Sequence, residues 1–138
     1  MNLITKAHIL RDGKRVYNKE IKQKKFNPQV VEYSVERYEF SEENYEIYKS
    51  FIEYLSSVYK KEVILVLSPY QLSSYELTIQ KKPFYLDLEK KFKRLSKETN
   101  VQIIGSYNPL SIPCDKNDFY DSMHPKETCM FKVTNQIN

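Results

Sequence analysis

The densest chemistry in the chain lies in its last quarter, where Asp115, Asp118, Asp121 and His124 fall within ten residues. The core of this stretch is Asp121-Ser122-Met123-His124-Pro125. An aspartate three residues before a histidine can fold back and accept the proton of one imidazole nitrogen. That fixes the tautomer and leaves the other nitrogen as a base toward a nucleophile. Pro125 suits the first position of a helix, where its missing N–H leaves nothing unpaired, so His124 is expected at a loop–helix junction. Two other readings of these residues stand beside this one. Carboxylates with one imidazole also suit magnesium, manganese or zinc. The spacing matches no calcium loop, however, and the other histidine, His8, is far away in sequence. A lone histidine can also be structural, with the aspartates forming an acidic loop and Asp118 serving as a turn or cap residue. No metal and no cofactor is assigned.

A base needs a nucleophile. Ser68 and Ser106 each follow a short apolar run, but both also fit as turn residues that satisfy local backbone. Neither neighbourhood supplies the glycine-rich geometry from which oxyanion donors are built, so both are read as turn residues. Cys114 and Cys129 bracket the Asp121–His124 loop. They suit either a disulfide that staples the loop, which would point to the cell envelope, or two buried thiols in a reducing cytosol. For the chain as written the thiols are preferred. Neither cysteine has a Cys-x-x-Cys partner, so redox catalysis is not expected.

The elements that must position these residues follow from periodicity. Residues 41–61 read as a helix, with Ser41 as N-cap and Glu42 and Glu43 at its positive end. Tyr45, Tyr48, Ile52, Leu55 and Tyr59 form its apolar stripe, widened by Phe51 and Val58, and Lys60 and Lys61 close it. Residues 62–67 form an unbroken β-branched and leucine run that fits a strand buried on both faces. Residues 83–100 read as a second helix with Leu86, Leu88, Phe92 and Leu95 inside, a basic outer face and Asn100 as its C-terminal cap; residues 101–105 are a second strand. This order implies a parallel α/β sheet. Asp12-Gly13 between short runs predicts a hairpin over 7–18. The basic stretch 19–25 and the segment 30–35 give weaker signals, the latter for extended chain. The chain is expected to be one domain, with residues 1–40 a hairpin and extended region and 41–138 the α/β portion.

In open α/β sheets, sites form outside the carboxyl ends of the strands. An Asp-x-x-His followed by proline, placed after a last parallel strand and before a C-terminal helix, resembles the corresponding block of SGNH/GDSL hydrolases. The run Val63-Ile64-Leu65-Val66-Leu67-Ser68-Pro69-Tyr70, the basic helix, and Val101-Gln102-Ile103-Ile104-Gly105-Ser106-Tyr107 ahead of Phe119-Tyr120-Asp121-Ser122-Met123-His124 look like the end of that fold. The nearest likeness is to the branch that transfers or removes acyl groups on cell-envelope polysaccharides. The resemblance spans residues 41–138 at most. It implies a partial three-layer parallel sheet flanked by helices, with Asp121 as orienting acid and His124 as general base. The family's Gly-Asp-Ser nucleophile turn, and its glycine and asparagine oxyanion donors, have no counterpart here. The resemblance therefore implies an Asp–His dyad for ester hydrolysis or acyl transfer on a carbohydrate, inactive without a serine from elsewhere. Its partners would be an acylated carbohydrate or other ester and an N-terminal half-polypeptide. A non-catalytic interaction module is the alternative.

Composition sets outer limits. The chain has 138 residues and a formal net charge of +4, with 22 basic residues interleaved among 18 acidic ones. That pattern is a mixed solvated surface. Twelve tyrosines invite a single-stranded nucleic-acid reading, but no basic patch supports it, so nucleic acid is set aside. Two glycines exclude collagen and a glycine-rich phosphate loop. No run approaches the ~18 apolar residues of a membrane span, and the expected location is cytoplasmic as written, or the cell envelope within a longer relative. Half of a doubly wound sheet leaves an open edge and bare apolar faces. Either the hairpin covers them or the chain associates, as a homo-oligomer for example.

Overall fold

The structure, a computed structural model, describes residues 7–9, 15–17, 40–60 and 62–137. Ser41 opens the first long helix, α1 (Glu42–Val58), by accepting a 3.1 Å hydrogen bond from the Asn44 N–H at Oγ. Glu42 and Glu43 occupy its first turn, where negative charge meets the positive helix end. The helix stops earlier than expected. Tyr59 caps it, Lys60 turns left-handed at φ 48°, and no basic residue lies in the last turn.

Strands β1 (Ala7–Ile9) and β2 (Arg15–Tyr17) pair antiparallel, with His8 opposite Val16. This is the expected hairpin. Its Asp12-Gly13 turn, the basic stretch 19–25 and the segment 30–35 lie outside the described residues. After α1 come β3 (Ile64–Leu67), α2 (Leu72–Lys81), α3 (Phe84–Thr99), β4 (Gln102–Gly105), a 3₁₀ turn (Lys116–Asp118) and α4 (Glu127–Thr134). β3 and β4 are parallel, in register from Ile64 opposite Gln102 to Leu67 opposite Gly105. The protein is thus mixed α/β, with four helices and a two-stranded parallel sheet among the described residues.

Alternation along the strands splits the core in two. Leu65, with Val63 and Val101 just ahead of the strands, meets Tyr45 and Ile52 of α1 and Phe92 and Leu95 of α3. Ile64 and Ile104 point the other way, into a cluster of Ile112, Cys114, Phe119, Cys129 and Val133. β3 is not buried on both faces along its length: Val66 is 48% exposed. The reason is that α4 packs against β4 rather than over β3.

Helix α2 was not expected from the sequence. It connects β3 to α3 and is capped by Gln71, whose Oε1 accepts from the N–H groups of Ser73 and Ser74 at 2.9 and 3.3 Å. α3 ends as expected at Asn100, which adopts the left-handed conformation (φ 54°) that asparagine tolerates. Leu95 is fully buried, whereas Leu86, expected inside α3, is exposed, as are Tyr48, Phe51, Val58 and Tyr59, expected on the buried stripe of α1, because only Tyr45 and Ile52 of α1 are buried against α3 and the sheet.

At the carboxyl end of β4, Gly105 sits at φ +80°, and a Cβ there would lie 2.1 Å from the Leu67 carbonyl oxygen. Only glycine lets the two strand ends close. The Gly105 N–H then donates to Gln136 Oε1 at 2.8 Å, and Gln102 Nε2 donates to the Gln136 carbonyl at 2.9 Å. The C-terminal tail thereby satisfies polar groups on β4.

Helices α1 and α3 are tied by charge. Arg94 bridges Glu42 at 3.0 Å and Glu98 at 2.8 Å, and its guanidinium lies 4.2 Å from the Tyr45 ring centre. Lys49 reaches Glu98 at 3.0 Å, and Lys91 reaches Glu42 at 3.3 Å and also donates to the Phe40 carbonyl. Arg94, then Lys49, pull the Glu98 carboxyl from 4.5 down to about 2. Arg94 and Lys91 likewise lower Glu42. Carboxyls depressed in the folded state stabilise it above their unfolded pKa and lose that contribution as pH falls through the folded value. Thermal stability is therefore expected to decline between about pH 4.5 and 2. The decline is modest because these pairs are solvent-exposed. Arg94→Gln should flatten it, and an identical acid profile in that variant, followed by circular dichroism, would contradict the assignment.

Candidate active site

Two loops leave the carboxyl ends of the parallel strands. One is Ser68-Pro69-Tyr70-Gln71, the other Ser106-Tyr107-Asn108. They are joined by a 3.1 Å hydrogen bond from the Tyr70 N–H to the Tyr107 carbonyl. Gln71 N–H donates in turn to the Ser122 carbonyl at 3.1 Å, and this bond draws the Asp121 loop to the strand ends. Tyr70, Tyr85 and Tyr107 cluster beside them with tilted rings, their centres 4.5 to 5.9 Å apart. Burial pushes the Tyr107 hydroxyl well above the usual tyrosine range.

The loop is built from the four acidic and imidazole residues singled out in the sequence, each in a separate role. Asp115 caps the 3₁₀ turn by accepting from Asn117 N–H, while Asp118 Oδ2 accepts from Asp115 N–H at 3.0 Å. Asp118 also meets Lys132 Nζ at 2.7 Å and accepts from Thr128 Oγ1 at 2.6 Å. Burial raises its carboxyl, but Lys132, Thr128 and the Asp115 N–H outweigh burial and hold it below the ordinary value. Asp118 therefore anchors the turn to α4. Among the described residues no three acidic, cysteine or histidine groups converge on one point where a metal ion could sit.

Phe119 and Pro125 then face each other in an antiparallel bridge. The flanking bonds are Tyr120 N–H to His124 carbonyl at 2.9 Å and Lys126 N–H to Asp118 carbonyl at 2.7 Å. Pro125 is thus not the first residue of the helix. It occupies a bridge position that needs no N–H, and α4 begins two residues later at Glu127. His124 still lies at the loop–helix junction.

At the tip of this bridge, His124 Nδ1 is 2.8 Å from both Asp121 oxygens. Asp121 Oδ1 also accepts from the backbone N–H groups of Met123 and His124, each at 2.9 Å. Burial raises the Asp121 carboxyl, but these two N–H groups and the imidazole more than compensate and keep it below the ordinary aspartate range. An ionised Asp121 favours the proton on Nδ1, which in the neutral imidazole places the lone pair on Nε2. The pair is open to solvent, His124 at 55% and Asp121 at 54% side-chain exposure.

The nearby serines are committed elsewhere. Ser106 is buried, donates to Glu89 (2.9 and 3.1 Å to its two oxygens) and accepts from Asn108 N–H at 3.1 Å. Glu89, which sequence reasoning passed over within the basic helix, also accepts from Tyr107 N–H and pairs with Lys93 at 2.7 Å. It fixes the loop after β4. Ser68 Oγ faces Met130 Sδ at 4.0 Å. Among the described residues neither serine is a hydrogen-bond partner of His124.

The preference for two free thiols is overturned. Cys114 and Cys129 form a disulfide, with Cα atoms 5.4 Å apart across a sequence separation of 15. The contacts of Asp118 with Thr128 and Lys132 fold the loop back along α4 and bring Cys114 beside Cys129, both in the buried cluster. No known protein family, curated protein or solved structure matches the chain. Among the described residues no helix is long and apolar enough to cross a membrane.

The disulfide closes the segment that carries the dyad. Its loss is expected to cost about 3 kcal/mol, the chain-entropy value for a loop of about 15 residues. The paired Cys114→Ser/Cys129→Ser variant should show that loss in denaturant unfolding, with faster amide exchange at Met123 and His124. Unchanged stability and protection would mean that the Asp118 contacts alone order the loop.

Proposed function

We propose that Asp121 and His124 form a general-base dyad of the SGNH type, serving ester hydrolysis or acyl transfer on a carbohydrate. The observation that supports this most directly is the position of both Asp121 oxygens on His124 Nδ1, beside the carboxyl ends of two parallel strands. In this reading residues 41–138 are the C-terminal portion of a larger three-layer sheet. The nucleophilic serine and oxyanion donors come from a separate segment, such as an N-terminal half-polypeptide. His124 Nε2 takes the serine proton as the serine oxygen attacks the acyl carbonyl. Asp121 stabilises the imidazolium, which returns the proton to the leaving alkoxide. The acyl group then passes from the serine to water or to an acceptor hydroxyl. The Cys114–Cys129 disulfide supports an oxidising compartment such as the cell envelope for this reaction.

A second reading has its own support: Asp121 caps the backbone of its own loop, which a purely structural aspartate would also do. Asp121→Asn separates the two, since an asparagine oxygen still caps but neither balances an imidazolium nor holds a single tautomer. With the nucleophile-bearing segment supplied, a fluorophosphonate probe is expected to label serine. Labelling should fall by two or more orders of magnitude in His124→Ala and in Asp121→Asn, with thermal stability of the latter only slightly lower, because the half-exposed carboxylate's depressed pKa is a small stabilising term. Labelling that persists in both variants, or that never occurs with the segment present, would leave the structural role alone.

A further inference from the structure

Helices α2 and α3 and the loop after β4 border a cavity of about 260 Å³ that neither dyad residue lines. Steps of three and four place Leu86, Glu89 and Lys93 on one face of α3, and all three line it. Tyr75 of α2 and Ser106 and Asn108 of the loop complete the wall. Its charge is mostly settled internally. Glu89, with its side chain 14% exposed, is held by Lys93, the Ser106 hydroxyl and the Tyr107 N–H, so its acceptor sites are taken. Ser106 is spent as well, since it also accepts from Asn108 N–H. Two inner groups stay open. Tyr75 is only 5% exposed, yet its hydroxyl has no hydrogen-bond partner among the described residues. Burial, then the Glu89 charge, keep that hydroxyl un-ionised by raising it above the ordinary tyrosine range, so it both donates and accepts. Asn108 commits Oδ1 to Leu110 N–H at 3.0 Å, which leaves its two Nδ2 donors. A buried polar group without a partner costs free energy, and a ligand that supplies the partner removes that cost.

We infer that this cavity is a binding subsite for one neutral sugar ring, whose hydroxyls exchange hydrogen bonds with Tyr75 Oη and Asn108 Nδ2. Charge narrows the ligand first. The Glu89 carboxylate disfavours an anion, and Lys93 with Lys90, which also lines the cavity, disfavours a cation. The open groups are neutral, and a sugar hydroxyl, which donates and accepts at once, matches both of them. Leu86, 40% exposed, offers an apolar edge for the C–H face of the ring. Size narrows it further. Pockets for drug-sized ligands start at roughly 300 Å³, so this one takes a single ring and not a chain. The same loop after β4 that supplies Ser106 and Asn108 is bonded through the Tyr107 carbonyl to Tyr70 N–H, next to the residue that holds the Asp121 loop. Identifying the ring as part of the ester substrate rests on the function proposed above, whereas the binding itself does not.

Amide NMR of the full chain, titrated with the methyl glycosides of glucose, galactose, mannose and N-acetylglucosamine, is the test. Saturable shifts are expected at Ser106, Asn108 and Ser111 with at least one of them. The dissociation constant should be low millimolar, as a ligand of roughly a dozen non-hydrogen atoms at ordinary efficiency gives. Tyr75→Phe keeps the ring stacked on Tyr85 and removes only the unpartnered hydroxyl. It should weaken binding about fivefold, the worth of one neutral hydrogen bond, while the melting temperature stays the same or rises. Asn108→Asp keeps an acceptor for Leu110 N–H and removes both amide donors, and it should weaken binding at least as much. No saturable shift with any of the four sugars overturns the inference. So do shifts indifferent to both variants, or glycine or inorganic phosphate bound more tightly than the sugars. The titration needs no nucleophile, so it is read apart from serine labelling. Binding without labelling overturns the dyad chemistry and keeps the subsite, and labelling without binding does the reverse.

Discussion

The parallel pairing of β3 with β4 is the constraint on which the other parts depend. Four residues on each strand are in register, too few for a sheet to stand without support. The pair is supported on one face by α1 and α3 and on the other, chiefly along β4, by α4 and the loop that precedes it. Gly105 makes the pairing close at its carboxyl end, where any side chain would collide with the Leu67 backbone. The loops that leave the two strands then emerge side by side, and the Tyr70–Tyr107 and Gln71–Ser122 bonds pass this geometry to the dyad.

The dyad solves an exposed-site problem with local bonds. In a buried triad the surrounding protein holds the carboxylate. Here Asp121 is half exposed and is held instead by two backbone N–H groups of its own loop. The loop is fixed in turn by the Phe119–Pro125 bridge, by Asp118 reaching α4, and by the disulfide. Three ties therefore hold about fifteen residues. In the proposed reading they fix the direction of the imidazole, which a base needs to meet its proton within hydrogen-bond distance.

The charge layout of α1 and α3 follows the same economy. Arg94 answers Glu42 and Glu98 at once and covers the Tyr45 ring, so the helix pair is closed over its aromatic core by ionic groups that stay in water. Those groups line the inner side of α1. On another side Ile47, Phe51, Tyr54 and Val58 are each half exposed or more.

Local chemistry was legible in the residues themselves. Ser41 as a cap, the helical state of α1, Asn100 as a left-handed terminator and the Asp121–His124 spacing act over three or four residues, so the sequence alone specifies them. Helix α2 was not legible: Gln71 is an unusual cap, and Ser73, Ser74 and Thr78 have low helix propensity. Its helical state rests on packing of Tyr75 and Thr78. Which apolar residues of α1 face inward, whether Cys114 meets Cys129, and whether Ser106 serves Glu89 or His124 were all decided by tertiary structure. Each depends on contacts between segments far apart in the chain, and spacing along a sequence carries no information about which distant partner arrives.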